Sequence, residues 1–210
     1  MIKFTEVGHN SKSRVRANKR RYELINDYFT QGNFLDIGCG DCKGWDYLDL
    51  KKFKQIMGID INKELIKKNK KKFKKAKFYE MDVTKKLKFK DNSFDNICCV
   101  ELIEHLKKPE ILIKELFKII KPEGKLIITT PNKSVSIKKF FKIKNPYHVR
   151  EFSIKEFKEL VSKYFDLIKI KHVFCTAWDL PFINTISYLY EKIMPSFLGT
   201  GMVYYLKPKK

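Results

Sequence analysis

Arginine is scarce in this chain. Arg14, Arg16, Arg20, Arg21 and Arg150 are five of 45 basic residues, and the other 40 are lysines. That weighs against a surface that reads nucleic-acid bases, because such surfaces rely on forked guanidinium donors and stacking planes. Long apolar runs are also missing: none approaches the roughly 20 residues needed to cross a bilayer. The polar, basic N-terminus lacks the apolar core of a signal peptide. A soluble, cytoplasmic protein is therefore expected. The five cysteines are odd in number and have no framework spacing, which excludes a secreted disulfide scaffold. Cys39-Gly40-Asp41-Cys42 has the spacing of half a zinc or redox motif, but no second pair follows, and a glycine-rich turn explains it better. Internal repeats are absent as well.

What is present suits a single domain spanning 1–210. The 210 residues include 43% hydrophobic side chains, enough for a full core. The formal charge of +21 invites nucleic acid or an anionic membrane as partner. Much of that charge is local, since residues 51–77 hold twelve lysines against Asp60 and Glu64. Short apolar strands alternate with amphipathic helices, which predicts an α/β fold with a mostly parallel sheet. A first helix is expected over 14–30 and strands over 33–37, 55–61, 77–79, 94–100, 125–130, 166–175 and 202–206. Asn62 should cap a Lys-rich helix. A helical segment should start near Glu101, and another should follow Pro109. Ser153 and Glu156 have the spacing of a capping box for a helix over 153–164. Pro122-Glu123-Gly124 reads as a turn, and Leu180–Met194 as an apolar helix.

The stretch FLDIGCGDCKG at 34–44 is strand, G-x-G turn and helix start. Glycines there permit a tight turn and close approach of backbone to a ligand. Asp60 closes the next strand, where a carboxylate can accept ribose hydroxyls, and Asp82 ends the third. The third glycine of a dinucleotide fingerprint is displaced: Lys43 stands where it is expected and Gly44 follows, which weakens the case for NAD.

With these residues in view, the chain resembles the class I S-adenosylmethionine (SAM)-dependent methyltransferases over nearly its whole length. The resemblance rests on LDIGCGDCKG at 35–44, GIDIN at 58–62, MDV at 81–83, FDNICCVELIEHL at 94–106 and LFKIIKPEGKLIITTPN at 116–132. It implies a Rossmann-like seven-stranded sheet of order 3-2-1-4-5-7-6 flanked by helices, with strand 7 antiparallel. It also implies SAM held by Asp36, Gly38, Cys39, Gly40, Asp60, Ile61, Asp82, Val83 and Val100. In this reading Asp36 positions the loop, Gly38 and Gly40 admit the methionine part, Asp60 holds the ribose, and Asp82 with Val83 contacts adenine. The first helix, with Arg20, Arg21 and Tyr22, closes over the cofactor in related folds. The Lys-rich 51–77 stretch then lies on the adenosine side, away from the acceptor loops.

Glu101, Glu104 and His105 follow the fourth strand, and on a helix these spacings share one face. With His148 from the loop after strand five, they could hold a divalent ion such as Mg²⁺ or Mn²⁺. The pattern resembles two metal-using groups, the ubiquinone-biosynthesis O-methyltransferases and the methyltransferases of small-RNA 3′-terminal riboses. In the alternative, His105 or His148 acts as a general base without metal, or Glu104 is solvated and His105 only structural. Tyr147, His148, Arg150 and Glu151 should border the acceptor pocket, unless Arg150 and Glu151 pair locally. The apolar insert at 176–199 could cap a substrate, touch a membrane surface, mediate dimerisation or pack as core. The expected activity is O-directed methyl transfer to a small-molecule, sugar or lipid-linked acceptor. The alternatives are a metal-dependent RNA ribose 2′-O-methyltransferase and a non-catalytic SAM-binding partner protein.

Overall fold

The computed structural model describes residues 12–134, 148–173 and 200–210. The expected insert at 176–199, the helix within it, Tyr147 and Cys175 lie outside them. Helix α1 (Lys12–Tyr28) leads into β1 (Gly32–Ile37), and two short 3-10 turns (Lys43–Tyr47 and Leu50–Lys52) precede β2 (Phe53–Asp60). Then come α2 (Lys63–Lys72), β3 (Lys77–Glu80) and β4 (Phe94–Val100), a 3-10 turn (Ile103–His105), and α3 (Pro109–Ile119). β5 (Ile120–Pro131), α4 (Ile154–Val161), β6 (Phe165–Val173) and β7 (Gly201–Pro208) follow among the described residues. The seven strands form one sheet in the order β3-β2-β1-β4-β5-β7-β6. β7 runs antiparallel to β5 and β6, while β1 to β5 pair in parallel.

Period-two alternation divides each central strand between two cores. Leu35, Ile37, Ile97, Cys99, Leu126, Ile128, Met202, Tyr204 and Leu206 face one side, where α3 adds Leu112, Ile113 and Leu116 and α4 adds Phe157 and Val161. Phe34, Cys98, Ile127, Val203 and Tyr205 face the other, against Tyr22, Leu24 and Ile25 of α1, Trp45, and Ile66 of α2. Full burial of each such Leu, Ile or Phe contributes about 1.5–3 kcal/mol. A sheet covered on both faces explains why β1, β4 and β5 read as nearly continuous apolar runs.

Local signals account for the helix ends. The Asn62 side chain accepts from the amides of Glu64 and Leu65 and caps α2. The Ser153 hydroxyl and Glu156 carboxylate exchange bonds in a capping box at the start of α4. All six lysines of α2 are exposed, so that part of the basic excess solvates one helix face.

Two expectations require correction. Residues 101–105 do not start an α-helix. Glu101 takes a left-handed backbone (φ 50°), and only the 3-10 turn Ile103–His105 follows. Pro122-Glu123-Gly124 is not a turn ahead of the fifth strand. It is an irregularity inside β5, where pairing shifts from Phe94–Ile120 to Asn96–Lys125.

Candidate functional site

The strand order reverses between β1 and β4, and a crevice beyond the carboxyl ends of such strands is where open α/β sheets bind ligands. The Gly38-Cys39-Gly40 turn leaves β1 at this edge. Gly38 and Gly40 both have positive φ (70° and 52°), which a side chain would strain. A Cβ at Gly38 would press on Leu102, whereas one at Gly40 would meet nothing within 4 Å and would project into open space. The amides of Gly38 and Cys39 both donate to the Ile59 carbonyl, which ties the turn to β2. The Asn69 side chain donates to the Gly40 carbonyl at 2.7 Å.

Asp60 ends β2 beside this turn. One carboxylate oxygen accepts from the Gly40 amide at 2.9 Å and the other from the Asn62 amide at 2.8 Å. Each oxygen keeps acceptor capacity for a further donor. The next residue, Ile61, is 47% exposed, an apolar side chain open at the crevice rim. Asp82 accepts from the Thr84 amide and hydroxyl, and the hydroxyl bond is the main cause that holds its carboxyl below the usual range. Val83 is buried, and Val100 is half-buried at the end of β4.

Beneath the turn lies Asp36. It shares the face of Phe34, so period two points a carboxylate into the layer under α1. Its Oδ2 accepts from Trp45 Nε1 at 2.6 Å and Tyr22 Oη at 3.1 Å, and Cys98 Sγ lies 3.3 Å from Oδ1. Burial pushes the carboxyl up to about 6 in spite of these bonds. Gly44 completes the packing, since a Cβ there would stand 2.0 Å from the Tyr22 ring. The displaced glycine of the G-x-G turn is thus required by a tyrosine 22 residues before it. Cys39 and Cys42 are buried, and the Cys39 thiol is held protonated by its hydrogen bond with Cys42 and by burial. That chemistry suits packing rather than metal or redox exchange.

At the other end of the crevice the structure gathers part of the ExxEH set. Glu104, His105 and His148 present ligand atoms that all lie within 4.8 Å of one another. The two imidazoles meet edge to face, with centroids 5.2 Å apart. Glu104 is not solvated. It is 1% exposed, its Oε2 accepts from the Thr130 hydroxyl at 3.2 Å, and among the described residues its Oε1 finds no hydrogen-bond partner. Burial first, and the charge of Glu101 second, raise its carboxyl well above the usual range. Its carbonyl accepts from the amides of Val149 and Arg150, which fastens the loop that carries His148.

Glu101 does not join this cluster. Its carboxylate pairs with Arg21 Nη2 at 2.9 Å and accepts from the Thr129 hydroxyl at 2.8 Å. The reason is backbone geometry: a left-handed residue followed by a 3-10 turn does not superpose positions 101 and 104 as an α-helix does. Arg21 was not foreseen as its partner. Ala17, Arg21, Leu24 and Ile25 lie at helical spacing on the buried stripe of α1, and that periodicity is the signal that separates Arg21 from Arg20. Arg150 and Glu151 do not pair as the local alternative had it. The Arg150 guanidinium lies 5.0 Å over the Phe152 ring, and Glu151 bonds His148 Nδ1 at 2.9 Å.

Comparison with known proteins agrees with this architecture. A family model described as a methyltransferase domain matches residues 35–128. An uncharacterized protein of Methanocaldococcus jannaschii is 33% identical over 190 residues, covering 88% of this chain and 73% of that one. The ubiquinone biosynthesis O-methyltransferase of Idiomarina loihiensis is 25% identical over 112 residues, covering 48% of this chain and 43% of that relative. Among solved structures, N-methyltransferase NodS from Bradyrhizobium japonicum, in complex with S-adenosyl-L-homocysteine, has a TM-score of 0.67 at 14% identity, covering 96% of this chain and 90% of that one. At that identity the likeness is one of fold. Among the described residues no helix is long and apolar enough to cross a membrane. Sheet order, glycine turn and sequence matches together make this chain a member of the class I SAM-dependent methyltransferases, a family of enzymes.

Proposed function

We propose that this enzyme transfers the methyl group of SAM to the hydroxyl of a small-molecule, sugar or lipid-linked acceptor. The observation that carries the reading is the pair of facing imidazoles, His105 and His148, beside buried Glu104 at the end of β4. Such a group suits removal of a hydroxyl proton. The name of the Idiomarina relative, an O-methyltransferase, points the same way.

The crevice fits SAM. Gly40 opens onto free space, Asp60 and Asp82 offer carboxylates, and Ile61 offers an exposed apolar side chain. In this reading the Gly38-Cys39-Gly40 turn receives the methionine part, Asp60 accepts the ribose hydroxyls, Ile61, Asp82 and Val83 border adenine, and Val100 closes the crevice floor. Asp36 steadies the turn from below. Bound SAM supplies a methyl carbon made electrophilic by its sulfonium. His105 or His148 would take the proton of the acceptor hydroxyl through a ring nitrogen as the acceptor oxygen is held toward that carbon.

A second reading has its own observation. Among the described residues the buried Glu104 Oε1 has no hydrogen-bond partner, and Glu104, His105 and His148 form a set of ligand types typical of divalent ions. Glu104, His105 and His148 would then hold Mg²⁺ or Mn²⁺, which lowers the pKa of an acceptor hydroxyl. Glu101, tied to Arg21 and Thr129, stays outside this set.

The test is a turnover screen with SAM across quinone precursors, sugars, lipids and short RNAs, each with and without EDTA. His105→Ala and His148→Ala should keep SAM affinity and lose most turnover. Full activity in chelator ends the metal reading. Methylation confined to an RNA ribose, with a steep salt slope in binding, replaces the small acceptor by RNA. SAM binding without turnover on any acceptor leaves a binding protein. Liposome co-sedimentation reports on peripheral membrane contact.

A further inference from the structure

His148 has a carboxylate partner that the chemistry above does not use. Its Nδ1 lies 2.9 Å from Glu151 Oε1, and the two side chains are only 10% and 18% exposed. The segment between them is anchored at both ends. The amides of Val149 and Arg150 donate to the Glu104 carbonyl, each at 3.0 Å, while Phe152 bridges to Asn132 and accepts from the Lys133 amide. Phe152 is itself fully buried and packed edge to face on Phe157. A glutamate fixed by such a frame holds its neighbour's ring in one orientation rather than roaming as a surface acid.

We propose that Glu151 is the positioning residue that selects the tautomer of His148. A carboxylate accepts, so the neutral ring keeps its proton on Nδ1 and carries its lone pair on Nε2. Neutral imidazole in water prefers the opposite arrangement, so the protein must impose this one. Nε2 is then the nitrogen that meets the acceptor hydroxyl, or the ion in the metal reading, since a carboxylate behind a histidine serves either task. This deepens the proposed O-transfer and rests on it for its purpose, but the tautomer is measurable without turnover.

The experiment is long-range ¹H–¹⁵N correlation on the histidine rings of the full chain, free of metal, at a pH where the rings are neutral. The chain has four histidines, and His148→Gln identifies the signal. Wild type should show a protonated Nδ1 and an unprotonated Nε2. Glu151→Ala should shift the population to the Nε2–H form, keep SAM affinity by calorimetry, and lower kcat at least tenfold with KM for the acceptor little changed. Glu151→Gln, whose amide oxygen still accepts, should retain the Nδ1–H tautomer. A wild-type ring protonated on Nε2, or one averaging between tautomers, overturns the proposal, and so does an alanine variant with an unaltered ring. If Glu151→Ala fails to fold, the wild-type and glutamine spectra decide alone. A correct tautomer in an enzyme that methylates no hydroxyl leaves Glu151 in place and refutes the O-directed reading instead.

Discussion

Asp36 makes the stability of this protein depend on pH in a direction opposite to that of most carboxylates. The group is fully buried, and desolvation raises its pKa from 3.8 to about 6, against three hydrogen bonds that pull the other way. Each pH unit of such a shift corresponds to about 1.4 kcal/mol, so the whole displacement amounts to about 3 kcal/mol. Between pH 4 and 6 the folded state holds a proton on Asp36 that the unfolded chain has released. Stability therefore falls as pH rises through this window and levels off above the folded pKa. Asp36→Asn removes the titration. Its amide oxygen still accepts from Trp45 Nε1 and Tyr22 Oη, the two donors on Oδ2. Urea unfolding of wild type and variant at intervals from pH 4 to 7.5 isolates the effect, because every other titrating group cancels in the difference. The stability of the variant relative to wild type should climb by about 2.5 kcal/mol across the series, because the unfolded carboxyl, at 3.8, is already partly ionised at pH 4. A flat difference would refute the reasoning and mean that the carboxylate is ionised throughout.

Three further outcomes are expected. Gly44→Ala drives a methyl into the Tyr22 ring and loosens its bond to Asp36; a loss of about 2 kcal/mol is expected in urea titrations. Arg21→Met strands the Glu101 carboxylate and costs about 2 kcal/mol, less than a fully buried pair because Glu101 is partly exposed, and adding Glu101→Gln should recover part of it in a double-mutant cycle. Asp60→Ala should weaken SAM binding at least tenfold by calorimetry, and unchanged affinity would end the ribose assignment.

Features written over short stretches of chain were legible. The Asn62 cap, the Ser153–Glu156 box, Pro109 at the start of α3 and the run from Phe94 to Val100 all stand where local chemistry put them. The strand order came with the family resemblance rather than from periodicity. Contacts between distant positions stayed hidden. Glu101 meets an arginine 80 residues earlier, and only the turn after β4, too short for an α-helix, sends it there. Asp36 reads in the sequence as a strand acid that positions the loop, but its donors come from α1, a 3-10 turn and β4 and are not visible there. Glu151 reads in the sequence as bordering the acceptor pocket or pairing with Arg150; in the structure it bonds His148, and the Arg150 guanidinium lies over the Phe152 ring.

The place of β7 between β5 and β6 has a consequence for how the protein is made. Among the described residues β6 has no sheet neighbour until Gly201–Pro208 arrives, although it leaves the ribosome first. The five parallel strands from β3 to β5, with the glycine turn, can assemble during synthesis, whereas β6 waits for β7. Inserting β7 between β5 and β6 closes a large sequence separation in one step, which makes it the natural slow event of folding. Nascent chains stalled before residue 201 should therefore hold a formed β1–β4 core and a β6 segment open to proteolysis.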